Sequence, residues 1–137
     1  MADKKNMREE GLRALMTMEK TDRLSHLVTG EALMRLQFMP KNERAFFTML
    51  CEGVTEQKIY LDYVLDAYSR TKMRKCKPLI RNLLRLSAYQ ILFMHVPDAA
   101  ACNEAVSLAK KRGFRSLSGF VNGVLRTLSR EKEHLPL

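Results

Sequence analysis

The chain has 137 residues, a length that suits one domain and leaves no room for a second sizeable core. Hydrophobic residues make up 46% of it, yet no apolar run approaches the ~20 residues of a membrane span or has the pattern of a secretory leader. We therefore expect a cytoplasmic protein that does not contact the membrane. Few Pro and Gly, no Trp and many Leu, Met, Lys, Arg and Glu residues favour helices over strands, so the predicted fold class is all-α.

The net charge of +9 is unevenly distributed along the chain. Residues 67–130 contain thirteen Lys and Arg but only two acidic residues, whereas the rest of the chain contains eleven basic and thirteen acidic residues. Such asymmetry favours a polyanionic partner such as RNA. The alternative is a solvated basic face that only keeps the protein in solution.

Hydrophobic spacing predicts three helices in the first half of the chain. Apolar residues within 7–18 recur on one helical stripe. A second helix is expected over residues 25–36, with Ser25 as its N-cap and Gly30 as an interruption. A helical pattern of about eight turns then occupies residues 40–68. The apolar members of the second helix are Leu24, Leu27, Val28, Met34 and Leu36.

A basic connector at residues 70–77 precedes the most apolar helix of the chain. Residues 79–93 leave almost no continuous polar face, so this helix is expected at the centre of the fold. Arg81 and Arg85 project from it in one direction because they are one turn apart. We interpret them first as anchors to a neighbouring helix and second as RNA ligands.

Two shorter helices complete the predicted set. A helix is expected over residues 99–111. Asp98 is expected to cap its start, and Gly113 is expected to terminate it. A last helix is expected over residues 116–129, with its apolar residues facing inward. The glycines of that helix predict a smooth patch that another helix approaches closely. Its inward residues are Phe120, Val121, Val124, Leu125 and Leu128, and the two glycines are Gly119 and Gly123.

Catalytic and metal-binding patterns are not found in the sequence. Cys51, Cys76 and Cys102 are widely separated and never form CxxC, so we expect reduced thiols, neither a disulfide framework nor a zinc ribbon, and no metal site. Cys102 is interpreted as a buried structural thiol, because no neighbouring histidine is placed to activate it. No glycine-rich loop joins a strand to a helix, so no nucleotide or other cofactor is expected in this chain.

Five short segments occur in a characteristic order. They are LRLSAYQIL at 84–92, VPD at 96–98, NEAV at 103–106, AKK at 109–111 and GFVNGVLR at 119–126. Their order, spacing and residue types resemble those of the NusB-like domain across residues 81–130, and the earlier helices fit more loosely. The resemblance implies a bundle of about six to seven helices in two crosswise-packed subbundles. It also implies a domain over residues 1–130, followed at 131–137 by the start of a linker or a C-terminal tail.

The NusB-like superfamily includes two kinds of protein with different functions. One is the free-standing transcription antitermination factor NusB, which binds a short single-stranded RNA together with a ribosomal protein. The other is the N-terminal domain of the Sun/RsmB-type ribosomal RNA cytosine-5 methyltransferases, which helps to engage ribosomal RNA. Gln90 in place of the usual Glu, Pro97-Asp98 followed by alanines, and the segment 119–126 resemble the second kind.

The resemblance therefore implies a non-catalytic RNA-binding domain of a 16S rRNA methyltransferase, with ribosomal RNA as its partner. The S-adenosylmethionine-dependent catalytic domain is then expected beyond residue 137. A free-standing NusB-type antitermination factor is the first alternative, and a helical protein-interaction module with an acidic partner is the second. None of these readings makes the 137 residues an enzyme on their own.

RNA contacts are expected from exposed cations, which bind phosphate and confer little sequence preference. Phe114, between Gly113 and Arg115, is the aromatic residue expected to stack on an unpaired base. The cations are Lys4, Lys5, Arg8, Arg13, Arg74, Lys75, Lys77, Lys110, Lys111, Arg112 and Arg115.

Four polar residues inside the helical motifs receive a structural interpretation. Because buried polar groups need partners, we expect them to form hydrogen bonds that tie the last two helices to the central one. A direct RNA role is the alternative. The four residues are Arg85, Asn103, Glu104 and Asn122.

Overall fold

The computed structural model describes residues 6–136, which contain six α-helices. They are α1 Met7–Thr21, α2 Ser25–Arg35, α3 Lys41–Tyr68, α4 Pro78–Phe93, α5 Asp98–Lys111 and α6 Ser118–Glu131. Short 3-10 turns lie at Met73–Lys75, Arg115–Leu117 and Lys132–His134. The described residues contain no strand, which confirms the predicted all-α class. None of the described helices is long and apolar enough to pass through a membrane.

The helices form two compact units that divide within α3. Unit 1 is Met1–Glu56 and unit 2 is Gln57–Leu137. The chain length alone suggested one core, whereas the resemblance implies two subbundles, and α3 contributes a segment to each of the two units. Its 28 residues make this possible, because a helix of that length spans about 42 Å.

The core of unit 1 is assembled from one apolar face of each of its helical segments. Met7 and Ala14 of α1 are buried in one cluster with Val28 and Ala32 of α2 and with Phe47 of α3. The stripe over residues 7–18 therefore faces the core as predicted. Burial of this stripe supplies most of the stabilisation of α1, because helix propensity alone is marginal over 15 residues.

The second helix differs from its prediction in three respects. Its N-cap position is Leu24, which has no side-chain hydrogen bond, so the Ser25 cap is wrong. The helix also continues through Gly30 without a break. Leu24, Leu27 and Met34 are exposed, Met34 to 73%, because only a narrow face of α2 meets the core.

The most apolar helix, α4, is the central element of unit 2. It packs against both α5 and α6, and eleven of its 16 residues are buried. Pro78 occupies its first turn, where the missing N–H has no intrahelical partner to lose. Gln90 is fully buried and donates from its side-chain nitrogen to the Leu86 carbonyl at 3.1 Å. The predicted central position is confirmed within this unit.

The start of α5 corrects the predicted role of Asp98. The N-cap position is Pro97, and no side chain caps the helix there. The Asp98 carboxylate accepts instead from the Ser129 hydroxyl at 2.5 Å and from the Lys132 ammonium at 3.1 Å. Asp98 thus joins the start of α5 to the end of α6. At the other end Gly113 has φ +89°, which confirms the predicted glycine terminus.

The last helix also departs from its prediction. It begins at Ser118, because the preceding residues Arg115–Leu117 form a 3-10 turn. Phe120 is half-buried instead of facing the core. A Cβ built on Gly119 or Gly123 would meet no atom within 4 Å, so no other helix in the described chain packs closely on them. The predicted close helix crossing at these glycines is therefore wrong.

Candidate nucleic-acid interface

The connector between α3 and α4, residues 69–77, presents its cations to solvent. Two of its side chains, Met73 and Cys76, are buried and hold the segment against the rest of unit 2. The other positions include five exposed cations, and no acidic residue lies among them. These cations are Arg70, Lys72, Arg74, Lys75 and Lys77.

Two adjoining hollows of unit 2 form a groove between the connector and the start of α6. One hollow has a volume of about 370 Å³ and is lined by Tyr68, Gly119, Gly123, Val124 and Thr127. The other has a volume of about 200 Å³ and is lined by Thr71, Lys75, Cys76, Lys77, Ile80 and Leu117. Arg70 and Phe120 line both hollows, so we treat them as one feature and call it the basic groove.

Arg70 and Phe120 lie in direct contact where the two hollows meet. The Arg70 guanidinium lies 5.8 Å from the centre of the Phe120 ring, within the range of a cation–π interaction. Arg70 is exposed and Phe120 is half-buried, so both remain accessible from solvent. A cation and an aromatic ring at one point provide a contact for phosphate and a surface for a base.

The turn between α5 and α6 brings a second set of predicted residues near the basic groove. The amide of Phe114 donates to the Ala109 carbonyl at 2.8 Å, which closes the helix end around Gly113. The following 3-10 turn contains Arg115 and ends at Leu117, which lines the groove. Lys110, Lys111 and Arg115 are exposed, whereas Arg112 and Phe114 are half-buried.

Arg8 and Arg13, the two predicted cations of the N-terminal region that the structure describes, belong to unit 1. The guanidinium of Arg8 lies 5.2 Å from the centre of the Phe46 ring, and Arg8 is half-buried. Arg13 is exposed and lies 3.9 Å from the Glu10 carboxylate. Both cations therefore have structural neighbours within unit 1. Lys4 and Lys5 lie outside the described residues.

The predicted polar network exists in part, with a different arginine at its centre. Arg126 donates to the Asn122 side-chain oxygen at 3.2 Å and to that of Asn103 at 3.1 Å. These bonds join α5 to α6, as expected of the two asparagines. Arg85 was the expected link to the central helix, whereas the donor shown to hold both asparagines is Arg126, which is one turn from Asn122 and also reaches Asn103. Glu104 is half-buried on α5 and is not part of this arrangement.

Arg85 belongs to a separate ion pair at the base of the connector. Its Nε and Nη2 donate to the two Asp62 oxygens at 2.7 and 2.9 Å, and its Nη1 donates to Asn82 at 3.2 Å. The interpretation of Arg85 as an anchor to a neighbouring helix is confirmed, since Asp62 lies on α3. This bidentate pair fixes α4 against the end of α3 that leads into the connector.

Sequence reasoning did not include Arg70 among the site residues and assigned Phe120 to the core. The available signal was the position of Arg70 at the start of a connector that contains no acidic residue. No local signal places Phe120 beside Arg70, because the two residues are far apart in the sequence. Their contact depends on how α6 packs in unit 2.

The three thiols of the chain, Cys51, Cys76 and Cys102, are free and buried. Burial raises the pKa of Cys51 to about 12, and burial also raises the pKa of Cys102. At the groove, burial and then the charge of Asp66 raise the pKa of Cys76. Among residues 6–136 no three His, Cys, Asp or Glu side chains are grouped to hold a metal ion.

The described units define a class of protein, a small all-helical domain with a basic, partly aromatic groove. The sequence profile of the NusB family matches residues 5–130, and the chain belongs to that family. The predicted resemblance to the NusB-like domain is confirmed.

Relatives of both kinds are similar to this chain. It is 39% identical over 129 residues to the probable ribosomal RNA small subunit methyltransferase B of Bacillus subtilis (strain 168), a match that covers 93% of this chain and 28% of that protein. The chain thus spans little more than a quarter of that relative's length. It is 30% identical over 127 residues to the transcription antitermination protein NusB of Lysinibacillus sphaericus (strain C3-41), covering 91% of this chain and 95% of that protein.

A solved structure of NusB from T. maritima has the same fold. The two structures have a TM-score of 0.83 at 27% identity, and the match covers 95% of this chain and 91% of the other. The family and fold assignments therefore agree.

Proposed function

We propose that this chain is an RNA-binding domain and that the basic groove is its RNA-contact surface. The observation that carries the proposal is the placement of Arg70 against Phe120 between the cations of the connector and the start of α6. Cations bind the phosphates of any RNA, and an accessible ring adds stacking on an unpaired base. The groove therefore suits a single-stranded or looped RNA better than a regular duplex.

We further propose that the domain engages ribosomal RNA for a cytosine-5 methyltransferase of the small subunit. Its 39% identity to a probable rRNA methyltransferase exceeds its 30% identity to an antitermination factor, over segments of similar length. In this proposal the domain positions the substrate RNA, and the S-adenosylmethionine-dependent chemistry belongs to a separate catalytic domain. The same division of roles gives the chain itself no catalytic residue.

The domain is proposed to occupy residues 1–130, with residues 131–137 as the start of a linker or tail. The bond of 3.1 Å from Lys132 to Asp98 holds the first residues of this segment against α5.

A free-standing antitermination factor is the second candidate. It is favoured by the match to the L. sphaericus protein, which covers 95% of that protein. In that case the resemblance implies a ribosomal protein as a second partner. The genomic reading frame discriminates the two candidates: continuation past Leu137 into a methyltransferase domain supports the first, and a stop codon supports the second.

The RNA proposal is tested by fluorescence anisotropy with three labelled RNAs at several salt concentrations. They are a small-subunit rRNA hairpin with an unpaired loop, an antiterminator-type single strand and an unrelated RNA. We expect the hairpin to bind most tightly, with an affinity that falls steeply as salt rises. Preference for the single strand would favour the antitermination candidate. Absence of binding to all three would contradict RNA binding and favour a protein-interaction module.

A further inference from the structure

The connector at residues 69–77 is held in place by polar side chains that lie outside it. The Asp66 carboxylate, on the last turn of α3, accepts the backbone N–H of Met73 at 2.7 Å. The Arg81 guanidinium, on the first turns of α4, donates to the Cys76 carbonyl at 2.7 Å. The connector backbone is thus bound at two points, one from each helix that it joins.

Buried side chains lie at the same two points. Met73 is fully buried and Cys76 is 8% exposed, so each residue with an anchored backbone group also has a buried side chain. At the start of the connector, the Ser69 hydroxyl donates to the Thr71 carbonyl at 2.6 Å and accepts from the Thr71 N–H at 3.2 Å. These contacts hold the backbone of the connector from which the cations project.

We propose that Asp66 is a positioning residue for RNA binding, which orders the connector so that Arg70, Lys75 and Lys77 line the basic groove before RNA arrives. The proposal rests on the proposed RNA-binding function. The connector contains five cations within nine residues, and these repel one another. The segment therefore needs contacts from outside itself to adopt one conformation. If the connector is already ordered in the free protein, RNA binding does not have to offset the entropy lost in ordering it.

The charge of Asp66 makes the proposal testable. Asp66 is half-buried and binds the backbone of Met73, which lies between the cations Lys72 and Arg74 in the sequence. Its negative charge is therefore expected to oppose the approach of phosphate. Loss of that charge alone should strengthen binding. Loss of the hydrogen bond to Met73 should weaken it. The two effects therefore have opposite signs, and substitutions that separate them identify which one matters.

The experiment compares Asp66→Ala with Asp66→Asn in the 137-residue chain. Asparagine keeps a side-chain oxygen that accepts from Met73, whereas alanine does not. Using the same labelled RNA hairpin, we expect Asp66→Ala to bind about fivefold more weakly than wild type, with a shallower salt dependence by about 0.7 to 1.4 because one or two phosphate contacts are lost. We expect Asp66→Asn to bind at least as tightly as wild type.

Asp98→Ala is the matched control. It also removes a carboxylate of unit 2 that accepts two hydrogen bonds, but its partners are Ser129 and Lys132. We expect its RNA affinity to equal that of wild type within twofold. Circular dichroism establishes that each variant is folded at the temperature of the titration. Equal weakening by Asp98→Ala and Asp66→Ala would contradict a positioning role.

Amide hydrogen exchange of the free protein measures how strongly the backbone amides of the connector are protected in the absence of RNA. We expect exchange within residues 70–77 to accelerate at least tenfold in Asp66→Ala and to stay near wild type in Asp66→Asn. Unchanged exchange in Asp66→Ala, or equally weak RNA binding by both Asp66 variants, would overturn the proposal. If wild type bound no RNA, the proposed function would fail, and exchange would still decide whether Asp66 orders the connector.

Discussion

At the scale of single residues, the polar side chains of unit 2 act mainly through partners that are distant in the sequence. Arg126 binds Asn103, 23 positions away, and Asp98 binds Ser129, 31 positions away. Residue type and spacing predicted that Asn103 and Asn122 form structural hydrogen bonds. They did not predict the donor, because several arginines lie one or more turns from these asparagines and only packing selects Arg126.

The role of Arg126 gives a direct prediction about stability. Arg126→Met keeps much of the side chain's apolar length but removes both donors to the asparagines. We expect the free energy of unfolding to fall by about 1 to 2 kcal/mol, because two partly exposed hydrogen bonds from a charged donor are lost. Urea denaturation measures the change. Arg130→Met, which removes an exposed arginine one turn later, is the control and should change stability by less than about 0.5 kcal/mol.

At the scale of helices, periodicity predicted where the elements lie but not how they end or what surrounds them. The apolar run at residues 79–93 predicted α4 because its pattern is local to the chain. Asp98 was predicted to be an N-cap from its position before a helix, yet its carboxylate accepts a hydrogen bond from Ser129 of α6. Gly119 and Gly123 suggested a tight helix crossing, whereas they line an open groove. Such differences arise from tertiary contacts, which a local pattern does not contain.

The open surroundings of Gly123 give a prediction about α6. Gly123→Ala should raise the free energy of unfolding by about 0.5 to 1 kcal/mol, because alanine favours a helix interior and the added Cβ meets no atom within 4 Å. Thermal or urea denaturation checks the increase. Gly113→Ala is the contrasting variant: its φ of +89° disfavours a side chain, so stability should fall. A loss of stability in Gly123→Ala would mean that the added Cβ collides with neighbouring atoms, and would contradict the open space at Gly123.

The junction of α5 and α6 gives a prediction about pH. Burial of Asp98 opposes ionisation, but the Ser129 hydroxyl and the Lys132 ammonium outweigh burial and lower the pKa of the carboxyl. A lowered pKa stabilises the fold above the pKa of the unfolded chain, near 4, and this stabilisation is lost as pH falls through the folded value. We expect Asp98→Asn to lose about 1 kcal/mol at pH 7.

The difference between wild type and Asp98→Asn should shrink as pH falls below about 4, because the wild-type carboxyl then becomes neutral as well. Urea denaturation from pH 7 to pH 3 follows it. A difference that stays constant over this range would show that ionised Asp98 does not stabilise the fold.

At the scale of the whole molecule, the sequence predicted the family, the all-α class and the basic half of the chain. It did not predict that α3 is shared by two compact units, since a continuous helical pattern gives no sign of where packing changes. Of the predicted RNA residues, Lys75 and Lys77 line the basic groove and Arg115 adjoins it. Arg70 and Phe120 were found only from the structure. RNA binding at this groove stays a prediction.

The central claim is that the basic groove is the RNA-contact surface. It is tested most directly by comparing two variants that lose the same positive charge from different surfaces. The groove variant carries Arg70→Gln, Lys75→Gln and Lys77→Gln. The control variant carries Lys20→Gln, Arg35→Gln and Lys41→Gln, which remove three exposed cations of unit 1 and give the same net charge.

The measurement is the slope of log affinity against log salt for the labelled small-subunit rRNA hairpin, whose unpaired loop is the proposed contact. We predict that the slope becomes shallower by about 2 in the groove variant, because each lost phosphate contact contributes about 0.7. The control should keep the wild-type slope to within about 0.5. Equal slopes for the two variants would show that RNA responds to overall charge, and would contradict the assignment of the basic groove as the RNA-contact surface.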